Sequence, residues 1–122
     1  MIIQGPVIKG DGQGKKQGFP TANLNPNLAK NIEPGVYACF AFLKKEKYPA
    51  ILIFGALDKN NCSKLEVFFL KNCPDIYGQK IKVKIIKKIR PLIKFYSKRK
   101  LYQQVKKDIK KNKEILLNYL DK

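Results

Sequence analysis

The sequence predicts a mainly β protein, a small closed antiparallel barrel with one C-terminal α-helix set on an open end or a sheet face. Three observations lead there. Strand-length apolar runs follow one another at short spacing from residue 35 onward. One of the last of them, Lys80 to Lys88, alternates almost perfectly between apolar residues and lysine. After Ser97 the apolar period changes from two to that of a helix. With 122 residues and 44% hydrophobic content, the chain is expected to form one compact domain, residues 1–122, around a single core.

Taken in order, Ile2 to Ile8 is a short apolar stretch interrupted by Gly5 and Pro6, which suits an edge or bulged strand. Asn25 to Pro34 holds two prolines and several asparagines and reads as a connecting loop. Gly35 to Leu43 and Tyr48 to Phe54 are apolar runs of strand length, and the charged Lys44-Lys45-Glu46-Lys47 between them predicts a hairpin. Asp58 to Ser63 is polar and turn-like. Lys64 to Lys71 reads as a third strand, and Cys73 to Gly78 as a turn. In Lys80 to Lys88, Ile81, Val83 and Ile85 face inward while Lys80, Lys82 and Lys84 face water. Leu101, Val105, Ile109, Leu116 and Leu120 then recur at helical spacing, with Ser97 as the candidate N-cap.

Charge and cysteine content exclude some functions and leave others open. The 26 Lys+Arg against 9 Asp+Glu give a net charge of +17, which attracts any polyanion. Yet the charge is dispersed, and only Arg90 and Arg99 are arginine, whereas base readers and stacking grooves favour arginine interleaved with aromatics. A lysine-coated surface is the preferred reading, and nucleic acid the disfavoured partner. No apolar run reaches membrane-span length and no basic lead precedes an apolar one, so no membrane partner and a cytoplasmic location are expected. Cys39, Cys62 and Cys73 lack C-x-x-C spacing and histidine is absent, which supports neither a zinc site nor a disulfide framework.

The stretch with most chemistry is Gly10 to Asn23, GDGQGKKQGFPTAN. Gly10, Gly12 and Gly14 let the backbone turn tightly and expose its N–H groups, and Lys15 and Lys16 add positive charge, which suits a polyphosphate. Pro20 stiffens the exit, so that the Thr21 hydroxyl and Asn23 amide oxygen, two residues apart, project the same way from an extended backbone. Two hard oxygens beside a phosphate cradle suit Mg²⁺. A solvated turn with two surface lysines is the plainer alternative. Farther on, Glu66 shares one face of its strand with Phe68 and Leu70. Lost hydration there would raise its proton affinity, which favours a general base; an outward Glu paired with a lysine is the competing reading.

The whole string, rather than its glycines alone, resembles the signature of the riboflavin kinase family: Gly10, Gly12, Gly14, Gly18, Phe19, Pro20, Thr21, Ala22 and Asn23 stand in register with it. Glu33-Pro34-Gly35-Val36-Tyr37-Ala38, Asp75-Ile76-Tyr77-Gly78 and Arg90-Pro91 followed by Lys94-Phe95 are similar to further family segments, and Leu101, Gln104 and Asp108 match its closing helix. The resemblance implies a Greek-key barrel and transfer of the ATP γ-phosphoryl group to the 5′-hydroxyl of riboflavin, giving FMN and ADP. It further implies Glu66 as the catalytic base; Gly10, Gly12, Gly14, Lys15, Lys16 and Tyr77 at the nucleotide; and Thr21 and Asn23 at Mg²⁺. Arg90, Phe95 and Leu101 would border the flavin. Two departures stand out. Ile53 to Asp58 lacks the family's Pro-Thr, with a short loop to Glu66, and the phosphate loop has Gln13, Lys15 and Gln17 where arginine or an apolar residue is usual. A monomer is expected, alone or as part of a larger bifunctional chain. A flavin- or nucleotide-binding module without turnover, and a basic barrel for single-stranded nucleic acid, are the alternatives.

Overall fold

The computed structural model describes residues 1–8, 20–71 and 76–120. Six strands precede one helix: β1 (Ile2–Pro6), β2 (Thr21–Leu24), β3 (Gly35–Leu43), β4 (Glu46–Leu57), β5 (Ser63–Phe69), β6 (Lys80–Arg90) and α1 (Lys98–Leu120). They form a single sheet in the order β1-β6-β3-β4-β5-β2, antiparallel throughout. The run β6-β3-β4-β5 places the fourth strand beside the first, which is the Greek-key pattern. The sheet curls until its two ends touch: Ile8, just after β1, forms an isolated bridge with Asn23 on β2, its N–H donating to the Asn23 carbonyl at 2.8 Å. Among the described residues, closure rests on that bridge rather than on a full ladder.

Strand β3 is apolar along nearly its whole length because both its faces are covered. Tyr37, Cys39, Ala41 and Leu43 point into the barrel core, where they meet Leu24, Leu52, Leu65, Val67, Phe69, Ile81 and Val83. Ala38 and Phe40 point the other way, into a second cluster with Ile115 and Leu116 of α1, against which Phe42, Ile86 and Ile89 pack. The helix therefore lies on the outer face of the sheet, and the expected inward set of β6 holds, with Ile81 and Val83 buried and Ile85 packed against the core.

Several boundaries differ from the sequence reading. Asn25 to Pro34 is not wholly irregular: Pro26–Ala29 forms one turn of 3-10 helix, with the Asn25 side chain accepting from the Asn27 N–H at 3.0 Å. Asn at the cap and Pro at the first position favour such a turn locally. Strand β4 runs from Glu46 to Leu57, beyond both ends of its apolar run, because Leu43 pairs with Glu46 across a two-residue turn. Both turn residues, Lys44 and Lys45, have positive φ (50° and 72°), as a twist-matched hairpin requires.

The helix shows the largest correction. Ser97 caps it as expected, its Oγ accepting from the Lys100 N–H at 3.2 Å. Its buried face, however, is Asp108, Asn112, Ile115 and Leu116, whereas Leu120 of the predicted stripe is exposed. Periodicity read from apolar residues alone misses this, since half of the buried set is polar.

Candidate active site

The register of β2 on β5 sets the first half of the site. Asn23 lies opposite Glu66 and Thr21 opposite Phe68, while Ala22 and Leu24 pair with Val67 and Leu65 of the core. Because side chains alternate across a strand, Thr21, Asn23, Glu66 and Phe68 all project from the outer face. Directly opposed residues are roughly 4.5–5.5 Å apart at Cα, so the carboxylate and the amide share one spot. Glu66 is buried at 5% exposure, and the Lys64 ammonium, from the same face of β5, stands 3.5 Å from its Oε1. Burial disfavours the ionised carboxylate and the neighbouring cation favours it.

Around this pair lie the lead-in and lead-out of the glycine stretch. Ile8 bridges Asn23, and the Phe69 N–H donates to the Pro20 carbonyl at 2.9 Å, so both ends of the segment are fixed at β2 and β5. Gly10, Gly12, Gly14, Lys15 and Lys16 fall outside the described residues. Tyr77 sits in a turn that touches the same lead-in: the Gly78 N–H donates to the Val7 carbonyl and the Val7 N–H to the Gln79 carbonyl. Gly78 has φ of 79°, a conformation that glycine adopts without strain.

The short loop before β5 is a built turn. The Asp58 carboxylate accepts from the Asn60 and Cys62 N–H groups at 2.8 and 3.0 Å, and the Asp58 N–H donates to the Cys62 carbonyl. This turn lines a cleft of about 310 Å³ together with Ile8, Asn23, Lys64 and Leu65. The end of the stretch that lacks the family's Pro-Thr, Asp58, thus lines the same cleft as Asn23, the candidate metal ligand.

The second half of the site is on β6 and the segment that follows it. The Arg90 guanidinium grips Asp108 of α1 through two hydrogen bonds, Nε to Oδ1 at 2.9 Å and Nη2 to Oδ2 at 2.8 Å. Its Nη1 donates to the Pro91 carbonyl at 3.1 Å, and the Phe95 ring centroid lies 5.8 Å from its carbon. Leu101 is half-buried on the first turn of α1. Cross-strand pairing links the two halves: Glu66 opposes Ile53, Ile53 opposes Val36 and Val36 opposes Arg90. Three strand spacings of ~4.8 Å put about 14 Å between them along the sheet. Lys64 and the acceptor role of Asp108 escaped the sequence reading; alternation places Lys64 on the face of Glu66, but nothing local marks Arg90 as its partner's donor.

The flavokinase family model, described as riboflavin kinase, matches residues 1–116. The chain belongs to the riboflavin kinase family. It is 40% identical to a bifunctional riboflavin kinase/FMN adenylyltransferase of Buchnera aphidicola, over 98% of this chain and 38% of that protein. It is 37% identical to an RNA-binding riboflavin kinase of Bacillus subtilis, over 88% of this chain and 48% of that protein. The chain therefore spans less than half the length of these two relatives. The solved riboflavin kinase of Trypanosoma brucei shares the fold at a TM-score of 0.70 and 22% identity, over 95% of this chain and 79% of that one. The family's Greek-key architecture and terminal helix agree with the sheet order and α1 described above. Among the described residues no helix is long and apolar enough to cross a membrane.

Proposed function

We propose that this chain is an ATP:riboflavin 5′-phosphotransferase, converting riboflavin and ATP to FMN and ADP. The observation that supports it most is the register that sets buried Glu66 opposite Asn23 on one face, at the two ends of the glycine stretch. Glu66 takes the proton of the ribityl 5′-hydroxyl as that oxygen bonds to the γ-phosphorus, the bond to the β,γ-bridging oxygen breaks, and ADP leaves. Phosphoryl transfer of this kind depends on positioning and charge neutralisation. Lys64 keeps the carboxylate oriented and adds positive charge to the cleft lining, while Lys15, Lys16 and the backbone N–H groups of Gly10, Gly12 and Gly14 would hold the phosphates, with Tyr77 beside the nucleotide.

Thr21 and Asn23 fit Mg²⁺: they offer two neutral, half-buried hard oxygens from one strand face, the modest protein share that this ion takes when phosphates and water complete its shell. The ion would supply charge neutralisation at the phosphates. At the other end, Arg90, Phe95 and Leu101 would border the isoalloxazine ring, and the sheet row between Arg90 and Glu66 gives the ribityl chain its path to the base. The test is incubation with ATP, Mg²⁺ and riboflavin, with FMN and ADP separated by chromatography. Stoichiometric FMN and ADP are expected. Riboflavin and ADP binding without any FMN would instead assign a binding module, and neither binding nor product would overturn the reading.

A further inference from the structure

We propose that Asp108 is a positioning residue for flavin binding: by fixing the Arg90 guanidinium it shapes Pro91–Ser97 into one wall of the ring site. This rests on the reading that the chain binds riboflavin. Arg90 stands where three pieces of the fold meet, the end of β6, the connecting segment and α1. Its side chain is 13% exposed and that of Asp108 6%, so the ion pair is screened from water, and two parallel hydrogen bonds fix the plane of the fork. The Gln104 amide donates to Asp108 Oδ1 at 2.9 Å, one helical turn away, and holds the carboxylate from behind.

With the plane fixed, the guanidinium meets the connecting segment twice, through the Pro91 carbonyl and the face of Phe95. A second foothold lies on β4. Gly55 has φ of 104°, and a Cβ built there would come within 3.0 Å of Leu92 and 2.7 Å of Pro34, so the absent side chain is what lets Leu92 settle on the strand end. The far end of the segment is the Ser97 cap. Anchored at these points, the segment nonetheless presents Leu92, Ile93 and Tyr96 to solvent, at 37%, 47% and 85% exposure. Ordered apolar and aromatic surface left in water suits a flat ring. Arg90 then acts on the flavin through Phe95 and the segment's shape, because Asp108 and Pro91 already engage Nε, Nη2 and Nη1.

The experiment compares riboflavin and Mg²⁺-ADP dissociation constants, with thermal midpoints, for the wild type, Asp108→Asn and the double variant Arg90→Met/Asp108→Leu. Riboflavin is read by quenching of its own fluorescence. Asp108→Asn is expected to weaken riboflavin about tenfold, the scale of one charge-assisted hydrogen bond, with ADP unchanged and kcat at saturating riboflavin retained. The double variant removes both charges together and is expected to keep its fold, yet to bind riboflavin at least as weakly. Should Asp108→Asn fail to fold, Gln104→Ala, which loosens the carboxylate while leaving Arg90 in place, decides instead, with riboflavin affinity alone expected to fall. Wild-type riboflavin affinity in any of these variants when folded, or equal losses for riboflavin and ADP, would overturn the positioning role. Absence of riboflavin binding in the wild type would instead overturn the function on which it rests.

Discussion

Glu66 and Lys64 occupy alternate positions of one strand, and that spacing places a carboxylate and an ammonium on the same outer face. Lys64→Met removes the positive charge next to the base and beside the cleft, and is expected to weaken Mg²⁺-ADP binding about tenfold, with Lys64→Arg restoring most of it; calorimetric titration checks both. The cysteines give a separate prediction. Cys39 is fully buried in the core and burial pushes its thiol well above the ordinary range, whereas Cys62 is exposed in the Asp58 turn. Thiolate is the reactive form, so alkylation of the native protein followed by peptide mass spectrometry should label Cys62 and reach Cys39 only after denaturant is added. Period-two alternation, which needs no tertiary information, put Glu66 on one face with Phe68 and Leu70 and left a lysine partner open, which Lys64 supplies; the role of base came from the resemblance. The sequence could not show Asp108 accepting from Arg90, because the partners lie on different elements and each alone is an ordinary charged residue.

Strands were the most readable elements and the helix the least. Gly35 to Leu43 forms β3 with the predicted ends because both of its faces are apolar, while β4 exceeds its apolar run because hairpin pairing, not hydrophobicity, sets its start. On α1 the pattern failed where polar groups are buried. Asp108 is satisfied there, but Asn112 is fully buried and neither its amide N nor its O has a hydrogen-bond partner among the described residues. Asn112→Leu should therefore stabilise the protein by about 1–2 kcal/mol, read as a higher urea midpoint at unchanged slope. Gly55→Ala should do the reverse, costing about 1–3 kcal/mol, since its φ of 104° is strained for any residue with a Cβ and Pro34 and Leu92 fill the space.

At the scale of the whole molecule, a charge of +17 and a curled sheet pull in different directions. Exposed Lys106, Lys107, Lys110, Lys111 and Lys113 crowd the outer side of α1, and Lys106–Lys110 and Lys107–Lys111 are like-charge pairs one turn apart. The lysine coat expected from composition is thus present, and raising NaCl from low to physiological levels should increase the urea midpoint by screening that repulsion; an unchanged midpoint would mean the coat costs nothing. The curl matters more for function. The first glycine-stretch anchor lies on the continuation of β1 and the other on β2, at opposite ends of the strand order; β2 already pairs with β5, and closure at Ile8 and Asn23 brings the first anchor to Glu66 as well. That meeting was expected from the resemblance, while the register that produces it required the fold. The direct test is turnover by Glu66→Gln beside the wild type, with Mg²⁺-ADP affinity measured in parallel. FMN formation should fall by about two orders of magnitude or more with nucleotide affinity nearly unchanged; FMN formation at a comparable rate would contradict a catalytic carboxylate at the junction of β2 and β5.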